Sequence, residues 1–284
     1  MDGSSMYILK LSCKDQMGIV LGISSFIFNN GGDIVESAQF SDWETKNFFM
    51  RVSFQFKSSK PHDFEKQLKS LADRFQITWE LGTAEEKTRV LIMVSKASHC
   101  LSHLLHKYRT NALNIEIIGI VSNHKNLKNL ADWHQIPFHY LPITETTKAK
   151  QEKKLLQILQ NEKIDLLVLA RYMQVLGANV TDKVYGACIN IHHSFLPCFK
   201  GKTPYQQAYD KGVKIIGATA HYVSQDLDEG PIIEQEILYI NHSYNYKALV
   251  AAGKDIENLV LTRAIEKHIE KRVFINGQKT VVLE

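Results

Sequence analysis

Asn190 and His192 stand two residues apart at the end of an apolar run, residues 182–189, that reads as the tip of a strand. Asp228 follows well downstream, inside an acidic turn that closes at Gly230. An amide, an imidazole and a carboxylate at strand ends are the groups that attack on a carbonyl-type carbon needs. The amide and imidazole can stabilise an oxyanion, and the imidazole and carboxylate can move protons. No Ser or Cys stands in a matching nucleophile context, so the chemistry reads as direct transfer or hydrolysis rather than a covalent relay.

The elements that must position these groups fall into two blocks. Residues 7–12 are strand-like, and 18–28 carry Ile19, Ile23, Phe26 and Ile27 at helical spacing. Asn29-Asn30-Gly31-Gly32 stops that helix, because Asn and Gly tolerate positive φ. Strands at 33–41 and 48–56, an amphipathic helix at 61–75 and a strand at 76–81 complete the order βαββαβ, that of a ferredoxin-like unit. The polar stretch 82–88 (GTAEEKT) reads as a linker, giving domains at 1–84 and 85–284.

Beyond the linker, apolar β-branched runs at 89–94, 115–122 and 165–170 alternate with helices at 99–108, 127–134 and 148–161, with a short strand at 138–141. That alternation predicts an α/β, doubly wound, mostly parallel sheet, in which ligands bind beyond the carboxyl ends of the strands. A later strand pair, 214–224 and 231–239, flanks the loop 226–230. A long helix at 246–271 follows, and the chain closes with a hairpin around Asn276-Gly277, a type I′ turn dipeptide.

Composition narrows the classes of function. The chain has 284 residues, 44% apolar and 23% charged, with a formal charge of +4. That charge forms no basic stripe arguing for nucleic acid, but suits an anionic substrate. No apolar run approaches the roughly 18 residues of a membrane span, and the first six residues are no signal peptide, so a cytoplasmic protein is expected. Cys13, Cys100, Cys188 and Cys198 form no C-x-x-C and read as free thiols. His99, His103 and His106 share one helix, with no carboxylate or Cys pair among them; they read as a polar face, and no metal is expected.

The segments NIHHSFLPCFKG and GATAHYVSQDLDEGPII resemble the two signature segments of the formyltransferase-fold folate enzymes. The resemblance implies that Asn190, His192 and Asp228 form the catalytic trio. It implies a pterin pocket built from 170–176 and the turn 226–230, so Arg171, Tyr172, Met173, Gln174, His221 and Gly230 are folate-binding candidates. From the residues alone, Met173 could equally be core, Arg171 a solvated surface group and His221 a strand residue bonded to backbone. Lys200 and Lys202 could add a positive rim.

CKDQMGIV followed by NNGGDI is similar to the start of an ACT domain, a regulatory module. This implies an amino-acid effector, glycine or methionine, near Asp15, Gly18, Gly31, Asp33 and Ile34, and a homo-oligomer. A module that only dimerises and binds nothing is the alternative.

Within the family, the glycinamide ribonucleotide formyltransferases carry a Gly-rich phosphate loop after the first strand of the catalytic domain. Here Ser95-Lys96-Ala97-Ser98-His99-Cys100 has no glycine. Together with the ACT-like start, this resembles the branch whose acceptor is water, the 10-formyltetrahydrofolate deformylases. The implied reaction takes 10-formyltetrahydrofolate and water to formate and tetrahydrofolate, with no cofactor. It would feed formate to purine biosynthesis and balance folate pools. A formyltransferase with an unphosphorylated amine acceptor and an amino-acid sensor with an inactive catalytic domain remain as alternatives.

Overall fold

The computed structural model describes residues 5–144, 146–198 and 204–284, so Lys200 and Lys202 lie outside the described residues. The chain divides into two compact units, one of residues 1–86 with 267–284 and one of residues 87–266. The first boundary falls near the GTAEEKT stretch. The last eighteen residues, expected with the catalytic domain, belong instead to the N-terminal unit.

That unit contains β1 (Met6–Lys14), α1 (Ile19–Asn29), β2 (Gly32–Asp42), β3 (Asn47–Phe56), α2 (Phe64–Phe75) and β4 (Thr78–Thr83). The sheet is antiparallel in the order β2-β3-β1-β4. Ile19, Ile23 and Ile27 of α1 and Phe64, Leu68 and Ala72 of α2 recur every fourth residue, and both helices bury these stripes. They meet Met50, Val52, Phe54 and Phe56 from one face of β3. On the other face of β3, Phe49, Arg51 and Ser53 are also buried. Phe49 packs with Phe274 and Leu283, and Arg51 donates to the Glu270 carbonyl at 2.8 Å and to Glu36 at 2.6 Å. The second face is thus covered by the C-terminal hairpin of β12 (Val273–Asn276) and β13 (Lys279–Val282). The hairpin's central pair is Gly277-Gln278, with positive φ at Gly277 and not at Gln278. That is the pattern of a type II′ turn, not the expected type I′ turn on Asn276-Gly277.

The second unit holds β5 (Thr88–Val94), α3 (His99–Arg109), β6 (Ile115–Ser122), α4 (Lys128–Trp133), β7 (Phe138–Tyr140), α5 (Lys148–Asn161), β8 (Leu166–Leu169), α6 (Ala178–Thr181), β9 (Cys188–His192), α7 (Pro204–Lys211), β10 (Ile215–Tyr222), β11 (Ile232–Tyr239) and most of α8 (Tyr246–Ile269). Its sheet runs β11-β10-β9-β8-β5-β6-β7. The strands from β7 to β9 are parallel, while β10 and β11 are antiparallel. All four residues of β8, Leu-Leu-Val-Leu, are buried, as a strand covered on both faces requires. Residues 182–189 are not one strand: a turn follows α6, and the strand begins at Cys188. Asn190 and His192 therefore sit in the last three residues of β9, at its carboxyl end.

Candidate active site

Asn190 and His192 are two apart in β9, so both side chains leave the same face while Ile191 leaves the other. The antiparallel register of β9 with β10 sets His221 directly opposite Asn190. Asp228 arrives in the turn after β10, at φ 58°. That turn closes tightly because Gly230 lies under the Tyr222 carbonyl, where a Cβ would sit 1.7 Å from the oxygen. Left-handed backbone at Asp228 and at Arg171 (φ 64°) marks positions held by their surroundings, at about 1–3 kcal/mol each.

Hydrogen bonds fix how each group faces. His221 Nδ1 lies 2.9 Å from the Tyr222 carbonyl and donates to it, which leaves Nε2 as an acceptor. The Asn190 amide nitrogen donates to that Nε2 at 3.1 Å. This orients the Asn190 amide and leaves its second N–H to serve a ligand. Burial first, against a weaker pull from its backbone bond and Asp228, holds the His221 pKa below that of ordinary histidine.

Ser194 donates its hydroxyl proton to the Cys198 carbonyl at 2.8 Å and so accepts from His192 Nδ1 at 2.9 Å. The other nitrogen of His192, Nε2, faces Asp228 Oδ2 at 3.3 Å. A proton on Nε2 makes this an imidazolium–carboxylate pair. Burial would raise the Asp228 carboxyl, but the His192 hydrogen bond and the neighbouring histidines His221 and His193 keep it below the usual carboxylate value. Thr219 on β10 steadies the turn after β9: its hydroxyl accepts from the Leu196 N–H at 3.0 Å and donates to the Ser194 carbonyl at 2.9 Å.

The trio opens on a cavity of about 190 Å³. Of the expected folate contacts, Arg171, Tyr172, Met173, Gln174 and His221 line it, beside Val223 and Leu227. Gly230 is not in that wall; its part is the close backbone contact with Tyr222. The Tyr172 hydroxyl accepts from Gln151 at 3.2 Å, within the core under α5. Ser95, at the end of β5, accepts the Met173 N–H at 3.0 Å and donates to Asn123 at 2.8 Å, pinning the 171–176 segment.

The expected effector residues are not brought together within one chain. Asp15 and Gly18 precede α1, while Gly31, Asp33 and Ile34 follow it. Eleven helical residues, roughly 16 Å, separate the two groups.

Sequence reasoning missed Ser194, Thr219, Tyr205 and Glu257. Glu257 on α8 is fully buried, a rare state for a glutamate and the signal of a network. Its Oε1 accepts the Tyr205 hydroxyl at 2.5 Å, and its Oε2 meets His99 Nε2 at 2.8 Å and Arg171 Nε at 3.4 Å. His99, Cys100 and Glu257 could converge on a metal, with ligand atoms within 4.8 Å of one another. The Arg171 guanidinium already claims the carboxylate, and burial followed by the Glu257 charge holds the Cys100 thiol protonated. The group reads as a proton-sharing network.

Comparison with known proteins agrees with this geometry. Residues 88–265 match the Formyl transferase family. A formyltetrahydrofolate deformylase of Bacillus subtilis is 44% identical over 277 residues, covering 96% of this chain and 92% of that protein. The chain belongs to the formyltetrahydrofolate deformylase family. The deformylase of Escherichia coli K12 is 38% identical, covering 97% of this chain and 98% of its own. The crystal structure of the Burkholderia mallei deformylase superposes with a TM-score of 0.95 at 42% identity, covering 99% of this chain and all of that one. A phosphoribosylglycinamide formyltransferase from Anaplasma phagocytophilum covers only 69% of the chain, at a TM-score of 0.63 and 26% identity. The deformylase family thus accounts for both units. Among the described residues no helix is long and apolar enough to cross a membrane.

Proposed function

We propose that this member of the deformylase family hydrolyses 10-formyltetrahydrofolate to formate and tetrahydrofolate. The observation that carries the reading is the convergence of an oriented Asn190 amide, a His192–Asp228 pair and a largely apolar cavity at the strand ends. A flat pterin suits walls of Met173, Val223 and Leu227, with few polar groups to orient it.

The steps follow from the placement of protons. A water beside Asp228 attacks the formyl carbon, and Asp228 takes up its proton. Asn190 and the Nε2–H of His192 receive the developing oxyanion, each donor worth about 3 kcal/mol in a dry site. The C–N10 electron pair then returns to N10, which gains a proton, and formate leaves with the new C–O bond. His221 acts at one remove, by holding the Asn190 amide in register. Formate released in this way would supply one-carbon units in the cytoplasm, for purine synthesis among other uses.

Exposed Met17, Leu21, Phe28 and Trp43 on the N-terminal unit support a homo-oligomer formed through that unit. An amino-acid effector would then bridge the two groups of residues across copies. Shifts in melting temperature with glycine and with methionine test for it.

Formate release by the purified protein, with no amine present, tests the function. Formate and tetrahydrofolate in equal amounts are expected. Folate binding without formate would overturn hydrolysis.

A further inference from the structure

Thr219 stands directly opposite His192 in the pairing of β10 with β9, and directly opposite Gln235 in the pairing of β10 with β11. Residues opposite one another in neighbouring strands share a sheet face. His192, Thr219 and Gln235 therefore form one row across three strands, on the face that carries Asn190. Thr219 is fully buried, and Gln235 is half-buried on the edge strand. Neither lines the catalytic cavity.

Groups that can only accept fix the proton positions along this row. The Leu196 carbonyl lies 3.1 Å from the Gln235 amide, so the near atom is Nε2 and it donates. The second N–H of Nε2 goes to the Thr219 hydroxyl at 2.9 Å. That hydroxyl also accepts the Leu196 N–H, and its own proton goes to the Ser194 carbonyl. Both backbone groups of Leu196 are thus held, and every bonding direction of the Thr219 hydroxyl is assigned. The turn closes with the Cys198 N–H on the Phe195 carbonyl at 2.9 Å. Its Cys198 carbonyl takes the Ser194 proton, which leaves the Ser194 hydroxyl to accept from His192 Nδ1.

His192 would not adopt this tautomer unaided. A neutral imidazole has one N–H, and the Asp228 carboxylate, 3.3 Å from Nε2, draws it to that nitrogen. We propose that Gln235 and Thr219 are positioning residues: through the 194–198 turn they keep a proton on His192 Nδ1, so that Nε2 alone takes up and gives back the proton of the reaction. The last step rests on the hydrolytic reading above. Nε2 faces Asp228, so protons then move where the oxyanion forms. A proton exchanged at Nδ1 would have to pass through Ser194, which is buried and does not line the catalytic cavity.

Nitrogen-15 NMR of ring-labelled histidine reads the tautomer directly, with His192→Gln to assign the signal. The wild type should keep Nδ1 protonated from neutral pH to the alkaline limit of its stability. Thr219→Val and Gln235→Leu each unfasten the turn, after which Ser194 is free to donate to Nδ1. In both variants Nδ1 should be bare and Nε2 protonated at alkaline pH. Their kcat should fall by about tenfold with KM little changed, and Thr219→Ser should restore both signal and rate. Thermal melting shows which variants fold, and because the two act from different strands, one folded variant decides. A wild type with a bare Nδ1 overturns the proposal, as does a folded variant that keeps Nδ1 protonated. Loss of rate with an unmoved tautomer marks a structural brace and overturns it too. The NMR arm needs no folate, so a protonated Nδ1 in a wild type that releases no formate would refute hydrolysis and still uphold the fastened tautomer.

Discussion

Asp228 and Glu257 are both carboxylates paired with a histidine in the same unit, yet they are finished differently. Asp228 is partly exposed to the cavity, sits on left-handed backbone and has its nearest partner at 3.3 Å. Glu257 is sealed from solvent, lies mid-helix and has partners at 2.5 and 2.8 Å. A carboxylate with an open acceptor direction beside a cavity can act on water. One whose oxygens are all occupied can only hold a shape. Buried charge alone therefore does not mark a catalytic group; the unfilled direction does.

Substitution at each carboxylate should separate the two roles. Asp228→Asn should lower turnover by about a thousandfold or more while the melting curve stays near that of the wild type. Near-normal turnover would erase the contrast. Glu257→Ala should do the reverse in kind. Leaving Arg171 and His99 without their anion should lower stability to denaturant by about 3–5 kcal/mol. A variant as stable as the wild type would show that the network holds nothing together. Asn190→Ala should cut kcat by about a hundredfold or more, as loss of one oxyanion donor does, with KM little changed. A rise in KM alone would recast Asn190 as a binding group.

The N-terminal unit offers a titration that sharpens the same contrast, because the group concerned is not among those lining the catalytic cavity. His268 is pushed down to about 4, first by burial and then by Lys10. A depressed pKa means the unfolded chain binds the proton first. The stability this group contributes is complete above its unfolded value near 6.5 and drains away as pH falls toward 4. It should amount to about 3 kcal/mol over that window, and His268→Gln should flatten the slope of stability against pH there. An unchanged slope would place the effect on other histidines. Ser194→Ala should have the smallest effect, about three- to tenfold in kcat, since it removes one neutral bond that orients His192.

The parallel core and both N-terminal helices were legible in the sequence. Runs such as Leu-Leu-Val-Leu and stripes such as Ile19, Ile23 and Ile27 carry their own periodicity. The two-residue spacing of Asn190 and His192 made their shared strand face legible, whereas Asp228 was joined to them only through the resemblance of the second segment. The Gly230 contact with the Tyr222 carbonyl was not legible, because a glycine in a turn reads the same whether it meets a ligand or a neighbouring carbonyl. Glu257 was invisible for a different reason. In a helix of mixed character, nothing local distinguishes a glutamate that meets three donors from far-off segments from one that meets solvent. The left-handed Arg171 was equally hidden, since its ion-pair partner Glu257 lies eighty-six positions later in the numbering.

The covering of β3 by the C-terminal hairpin has a consequence for biosynthesis. Phe49 and Arg51 find their partners in residues 270–283, which leave the ribosome only after the whole of residues 87–266. The N-terminal unit is the first to be made and the last to be completed. Until then it presents a half-covered sheet, and a nascent chain stalled before residue 267 carries a bare face of the kind that chaperones recognise.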